Sequence, residues 1–257
     1  MPSSNERRES LKALWEQART CARCPELAET RTSVVFGAGN ANAELMFIGE
    51  APGANEDKQG LPFVGQAGKL LEDLLREIGL SRAEVFIANV LKCRPPGNRD
   101  PQPAEIERCR PYLLRQIELI EPRVICTLGN FATKLLREDP TGISRLHGSV
   151  EERAIGERAV RLYPIYHPAA ALYTRRMLDT LREDFARLPD LLGLPPLPGP
   201  APPPQAASPP QAASPPQPEA PGQPDERPQP GSEPRSEAEA QLESGRAAPD
   251  ATQLGLF

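Results

Sequence analysis

Short apolar runs alternate with amphipathic segments along residues 1–190, and that alternation limits the fold more than any other feature of the chain. Glu44–Gly49, Val85–Val90, Arg123–Leu128 and Val160–Ile165 have the length and content of buried strands. Helical patterns lie around them. Leu11, Leu14, Trp15 and Ala18 recur at helical spacing within Ser10–Arg19, with Ser10 as the expected N-cap. Leu70, Leu71, Leu74, Leu75 and Ile78 share one face of a helix over Gln66–Ile78, which Gly79 should stop. Pro103–Ile120 reads as a helix entered through proline, and Pro111 should kink or interrupt it. Asn130 is expected to cap a helix ending at Arg137, and Ala169–Leu188 reads as a last amphipathic helix. Strands alternating with helices imply a parallel sheet with helices on both faces. Ligands of such sheets bind beyond the C-terminal strand ends. That rule selects the loops after Phe47-Ile48, Ile87-Ala88 and Tyr163-Pro164-Ile165.

The pattern stops near residue 190. Residues 191–257 hold 18 of the 32 prolines and almost no aliphatic clusters, so they cannot bury enough apolar surface to offset chain entropy. Pro-Pro-Gln-Ala-Ala-Ser occurs twice in tandem, at 203–208 and 209–214, as in a low-complexity linker with polyproline character. The expected organisation is a folded domain over 1–190, a Pro-rich disordered linker over 191–252 and a terminal peptide over 253–257. The net charge of −5 belongs to the tail, where three Arg face eight Asp and Glu. The remaining 27 Lys and Arg balance 27 Asp and Glu in the domain. A neutral domain can still bind nucleic acid through a local basic patch. No apolar stretch reaches the length of a membrane span, and the polar start MPSSNERRES has no secretion-signal core. A reducing, cytoplasmic setting is expected, in which clustered cysteines point to metal or catalysis rather than disulfides.

Five cysteines are present. Cys21 and Cys24 form a C-x-x-C pair after the first helix, Cys93 follows the second strand, and Cys109 sits in the next helix. Cys126 lies within the third apolar strand and reads as a small core side chain. Cys24-Pro25 and Cys93-Arg94-Pro95-Pro96 are poor settings for core packing. Four thiolates can hold zinc or an iron–sulfur cluster. A zinc ribbon normally shows two C-x-x-C pairs and this chain has one, so the spacing leans mildly toward iron–sulfur.

The strand-end loops carry unusual residues. The first reads Gly49-Glu50-Ala51-Pro52-Gly53 and runs on through Glu56, Asp57 and Phe63 to Gly65. Its glycines and prolines fix a tight backbone, yet it lacks the residues of a P-loop or a dinucleotide fingerprint. Asn89 at the second strand end is out of place by propensity, and its amide can offer one donor and one acceptor to a ligand. A uracil edge presents the matching pair. His167, one of two histidines, follows the last strand and precedes Pro168.

Together, Gly49-Glu-Ala-Pro-Gly53, Pro62-Phe63-Val64-Gly65, Asn89 with Lys92-Cys-Arg-Pro-Pro96, and His167-Pro-Ala-Ala170 resemble the thermostable-type (family 4) iron–sulfur uracil-DNA glycosylases. The resemblance spans about residues 8–188. It implies a three-layer α/β/α fold with a four-stranded parallel sheet, and a [4Fe–4S] cluster on Cys21, Cys24, Cys93 and Cys109. It also implies a pocket for a flipped deoxyuridine in uracil-containing DNA, single- or double-stranded. By that match Phe63 stacks on the base, Asn89 reads its polar edge, and His167 stabilises charge on O2. Backbone at Gly49 and Ala51 helps hold the base, Glu50 positions water at C1′, and Glu56 is a further pocket carboxylate. Thymine exclusion is expected from Glu56 or its neighbours. The chain departs from the family after the His-Pro loop. Leu172 is the expected wedge into DNA, with Arg175 and Arg176 close behind. The implied enzyme is monofunctional and monomeric; the alternative is a non-catalytic iron–sulfur DNA-binding module.

The final residues Gln253-Leu254-Gly255-Leu256-Phe257 resemble the peptide by which bacterial repair and replication proteins bind the sliding clamp. Leu256 and Phe257 would anchor in an apolar pocket and Gln253 would bond at its rim, with Leu254 also among the partner-binding residues.

Overall fold

The computed structural model describes residues 3–198; the expected linker beyond them and the terminal peptide lie outside the described residues. Along each strand, side chains alternate between faces, and this chain fills both faces with apolar groups. Strands β2 (Leu45–Gly49), β3 (Phe86–Asn89), β4 (Val124–Leu128) and β6 (Arg158–Ile165) run parallel, as expected. The sheet has six strands in the order β1-β3-β2-β4-β6-β5, because β1 (Ala38–Gly39) and β5 (Glu151–Ile155) add antiparallel edges. The expected four-stranded sheet is therefore its centre.

Met46 and Ile48 face one layer of helices, built from α1 (Ser4–Arg19), α5 (Pro103–Ile120) and α6 (Asn130–Arg137). Leu45 and Phe47 face the other, built from α4 (Gln66–Glu77), α8 (Arg175–Ala186) and α9 (Leu188–Gly193). Phe47 stacks on Phe185 with ring centroids 5.7 Å apart. Burying an aromatic of that size contributes about 1.5–3 kcal/mol. Cys126 is fully buried in this second layer, as its strand position predicted.

Several boundaries differ from the sequence reading. Helix α1 begins at Ser4, not Ser10: Ser3 caps it in a reciprocal box with Glu6, whose carboxylate accepts from the Ser3 N–H at 2.6 Å. Helix α5 runs through Pro111 without a break. The carbonyl of Glu107 loses its partner there, and Glu107 is solvent-exposed, so water can take that place. Gly129, not Asn130, is the N-cap of α6; the Asn130 Oδ1 instead accepts from the Ile143 N–H at 2.9 Å. The expected helix over Ala169–Leu188 is divided into α7 (Pro168–Ala171), α8 and α9, since Thr174 leaves helical geometry at φ −141°.

The packed chain continues past residue 190. Arg161 donates to the Pro195 carbonyl at 2.8 Å, and Arg123 donates to the Leu194 carbonyl. Two short helices complete the described part: α2 (Pro25–Thr30) and α3 (Ala54–Gln59). No helix among the described residues is long and apolar enough to cross a membrane.

Candidate active site

The C-terminal ends of the parallel strands open into a cleft of about 410 Å³. All three expected loops reach it. Glu50, Ala51, Pro52, Gly53, Glu56 and Phe63 come from the first, Asn89 from the second, His167 and Ala169 from the third. No lysine is among the cleft-lining residues.

Asn89 ends β3 and pairs in parallel register with Gly49, the last residue of β2. The Asn89 side chain is 2 % exposed, and its Nδ2 is buried with no partner within the described residues. A buried amide donor left unsatisfied is costly, so this one is kept for something that enters the cleft. Gly49 makes the geometry possible: a Cβ there would lie 2.5 Å from Asn89 Oδ1 and 2.7 Å from Phe63 Cζ.

Phe63 sits at φ +54°, a left-handed conformation that a bulky residue adopts only when its surroundings hold it. Arg82 grips the carbonyls of Pro62 and Phe63 at 2.6 and 2.8 Å. Gly68 of α4 lets the loop close, since a Cβ there would be 1.8 Å from the Phe63 carbonyl oxygen. Glu56 Oε1 accepts from the N–H groups of Val64 and Gly65 at 2.9 Å each, so this carboxylate organises the loop as well as lining the cleft. Asp57 points away from the cleft. It is 3 % exposed and accepts from the N–H groups of Thr32 and Ser33.

His167 is the N-cap of α7, and its Nδ1 accepts from the Ala169 N–H at 3.1 Å. That bond leaves the ring proton on Nε2. Burial takes the imidazole down to about 4, against a weaker opposing pull from Glu56, so the ring is neutral near pH 7. It stacks on Phe63 with centroids 5.6 Å apart. Burial, and then the nearby Asp100, raise the Glu50 carboxyl above its ordinary value. A carboxylate tuned in this direction is a better base.

A second cavity lies across β3. Cys21, Cys24, Cys93 and Cys109 all line it, with Arg23, Arg31, Lys92, Arg108 and Tyr112. Arg31 Nη1 lies 3.1 Å from Cys93 Sγ, and the Lys92 N–H donates to Cys109 Sγ at 3.3 Å. Burial raises the thiols of Cys24 and Cys93 and takes that of Cys109 to about 11. Four sulfurs, flanked by cations and N–H donors, suit an occupant that draws thiolate charge. Among the described residues, no three His, Cys, Asp or Glu converge closely enough to form a group that could hold a metal ion.

Leu172, Arg175 and Arg176 do not line the cleft: Leu172 is the C-cap of α7, and Arg175 and Arg176 are the first residues of α8. Leu172 is 36 % exposed and its neighbour Tyr173 is 87 % exposed. Sequence reasoning missed Asn98 and Arg99, which form the cleft rim. Arg99 is itself held by two bonds to Glu105, at 2.7 and 3.0 Å. The density of Arg, Pro and Gly after Cys93 was the available signal. Arg82 and Gln116 carry no local signal, because their partners are distant in sequence.

The geometry can be compared with known proteins. The family model described as the uracil DNA glycosylase superfamily matches residues 36–189. A type-4 uracil-DNA glycosylase of Archaeoglobus fulgidus is 47% identical over 189 residues, covering 72% of this chain and 94% of that protein. Its counterpart in Sulfurisphaera tokodaii is 47% identical over 188 residues, 71% of this chain and 85% of that protein. The one in Thermotoga maritima is 42% identical over 170 residues, 66% of this chain and 86% of that protein. With this cleft and these strand-end loops, the chain belongs to the uracil-DNA glycosylase superfamily, in its type-4 branch.

Proposed function

We propose that the chain is a monofunctional glycosylase that hydrolyses the N-glycosidic bond of deoxyuridine in DNA, releasing uracil and leaving an abasic site. One observation carries the reading most directly: the buried Nδ2 of cleft-lining Asn89, which has no partner among the described residues. Uracil O4 accepts where that group donates, and N3–H donates where Oδ1 accepts.

Extruding the base from the stack costs a few kcal/mol, which the cleft recovers by stacking and edge-on hydrogen bonds. Phe63 supplies the stacking face, with Gly49 and Ala51 allowing close approach to backbone. As the bond breaks, negative charge develops on uracil O2. The neutral His167 donates to it from Nε2, and one such preorganised donor supplies about 2.7–4 kcal/mol. Glu50 stabilises the positive sugar and takes the proton of the attacking water. Glu56 keeps the 63–65 loop against the base and so limits room at C5. With no lysine at the cleft, no covalent amine intermediate forms and the strand stays intact.

The four-cysteine cavity is read as the seat of a [4Fe–4S] cluster on Cys21, Cys24, Cys93 and Cys109. Held there, the cluster would tie the loop after α1, the segment after β3 and α5 together through those four side chains. A reducing, cytoplasmic setting is proposed, in which these thiols stay out of disulfides, and the chain is proposed to act as a monomer. Leu172, Arg175 and Arg176 are proposed to meet the DNA beside the cleft. Gln253, Leu254, Leu256 and Phe257 are proposed to bind the sliding clamp; loss of clamp binding on Leu256→Ala with Phe257→Ala tests this.

The primary test is base release from a uracil-containing oligonucleotide by cluster-loaded protein, beside His167→Ala and Asn89→Ala. Abasic product that falls at least tenfold in both variants is expected. Absence of product from folded, loaded protein refutes the enzyme and leaves the DNA-binding module.

A further inference from the structure

Lys92 is 2 % exposed, and a buried ammonium needs a counter-charge. No carboxylate pairs with it among the described residues. Its Nζ donates to the Asn89 carbonyl at 2.9 Å and to Gln116 Oε1 at 2.6 Å, and lies 6.0 Å from the centroid of the Phe36 ring. Gln116 is in turn anchored through its Nε2 to the Phe36 carbonyl at 2.9 Å. On its other side Lys92 lines the cysteine cavity, its own N–H donates to Cys109 Sγ, and its chain neighbour is Cys93. One buried residue thus touches both regions, Cys109 Sγ through its backbone N–H and the carbonyl of Asn89, whose amide faces the base cleft, through its Nζ.

We propose that Lys92 is a positioning residue: the negative charge of the thiolate-held group balances its ammonium, which fixes the end of β3 so that the Asn89 amide points into the cleft. The inference rests on the readings that the cavity holds the cluster and that Asn89 contacts uracil. It explains why a cation is buried among neutral acceptors. It also gives the cluster a route to base recognition through one hydrogen bond.

The test uses full-length, cluster-loaded protein and Lys92→Met, which keeps the bulk of the side chain and removes its charge and donor. Iron and sulfide content and resistance of the visible absorbance to chelator report whether the cluster stays. The side-chain amide resonance of Asn89, assigned by its loss in Asn89→Ala, reports orientation. Expected are a shifted Asn89 amide signal, faster cluster loss to chelator and a fall of about tenfold in kcat/KM for uracil release. On an Asn89→Ala background the same substitution should change kcat/KM by less than about twofold, since both then act through one group. Additive losses, or an unmoved Asn89 resonance in a protein that keeps its cluster, overturn the proposal. Where Lys92→Met does not retain the cluster, Gln116→Met carries the same cycle by removing one of the two acceptors that hold Nζ. Wild-type protein without uracil release would refute the glycosylase reading itself, an outcome separate from these.

Discussion

Replacing Gly49 by alanine places one methyl where the two walls of the base cleft meet. The added Cβ would lie 2.5 Å from Asn89 Oδ1, and 2.7 and 2.9 Å from two ring carbons of Phe63, where ordinary contact begins at 3.4 Å. These atoms must therefore retreat by 0.5–0.9 Å. Neither has slack behind it. Asn89 is held in the β2–β3 register, and Phe63 is held by Arg82 and backed by Gly68. Overpacking of this kind costs about 1–3 kcal/mol, or roughly 2–4 °C of Tm per kcal/mol for a domain of this size. Displacement near 1 Å at a reacting centre costs about 100-fold in rate. Gly49→Ala should thus remain folded, lose a few degrees of Tm and lose about 100-fold in kcat/KM. Single-turnover uracil release, with Tm by circular dichroism, measures both. Gly193→Ala is the control, because a Cβ there meets nothing within 4 Å. Near-wild-type kcat/KM in Gly49→Ala would refute the assignment of Asn89 and Phe63 as the base-contacting walls.

The depressed His167 titration makes stability depend on pH. Its folded value of about 4 lies below the ordinary 6.5, so the neutral ring contributes stability that is present above pH 6.5 and lost as pH falls through 4. The difference is about 3 kcal/mol at most, since part of the ring still meets the cleft, and it should vanish from the pH dependence of urea midpoints in His167→Gln. The acid limb of activity belongs to Glu50, whose carboxyl is raised above its ordinary value, and should be lost in Glu50→Gln. Asp57→Ala leaves the N–H groups of Thr32 and Ser33 without acceptors and should destabilise by about 1–3 kcal/mol, read by urea denaturation. Truncation after residue 198 should leave uracil release from short oligonucleotides unchanged, because every residue lining the cleft precedes it.

The central sheet and the three site loops were legible because the parallel strands are short, largely apolar runs and three of them lead into residues that fit no strand: Gly49, Asn89 and Tyr166-His167. The edge strands were not. Strand β5 reads Glu-Glu-Arg-Ala-Ile, and its more buried face carries Glu151 and Arg153 beside Ile155, so no apolar period of two shows. Strand β1 has two residues, too short to show any period. The start of α1 was readable from Ser3-x-x-Glu6, but the first two turns lack an apolar face, so a hydrophobic pattern begins only at Leu11. Pro111 misled because the cost of proline depends on whether the orphaned carbonyl can reach water, which a sequence does not state. At the site, the side chains that touch the cleft carried local motifs. Those that hold them in place, such as Arg82 and the Lys92–Gln116 pair, act across 19 to 24 positions of chain and left no local mark.

The grip of Arg123 and Arg161 on the carbonyls of Leu194 and Pro195 has a mechanical meaning. Arg123 directly precedes β4, and Arg161 stands in register with Val124, the first residue of β4. The described chain therefore departs at the starting ends of the parallel strands, whereas the cleft opens at their finishing ends. The two guanidinium clamps pin the departing chain there, with the whole strand length between it and the base slot. A handle attached there, for immobilisation, would leave the mouth of the cleft free.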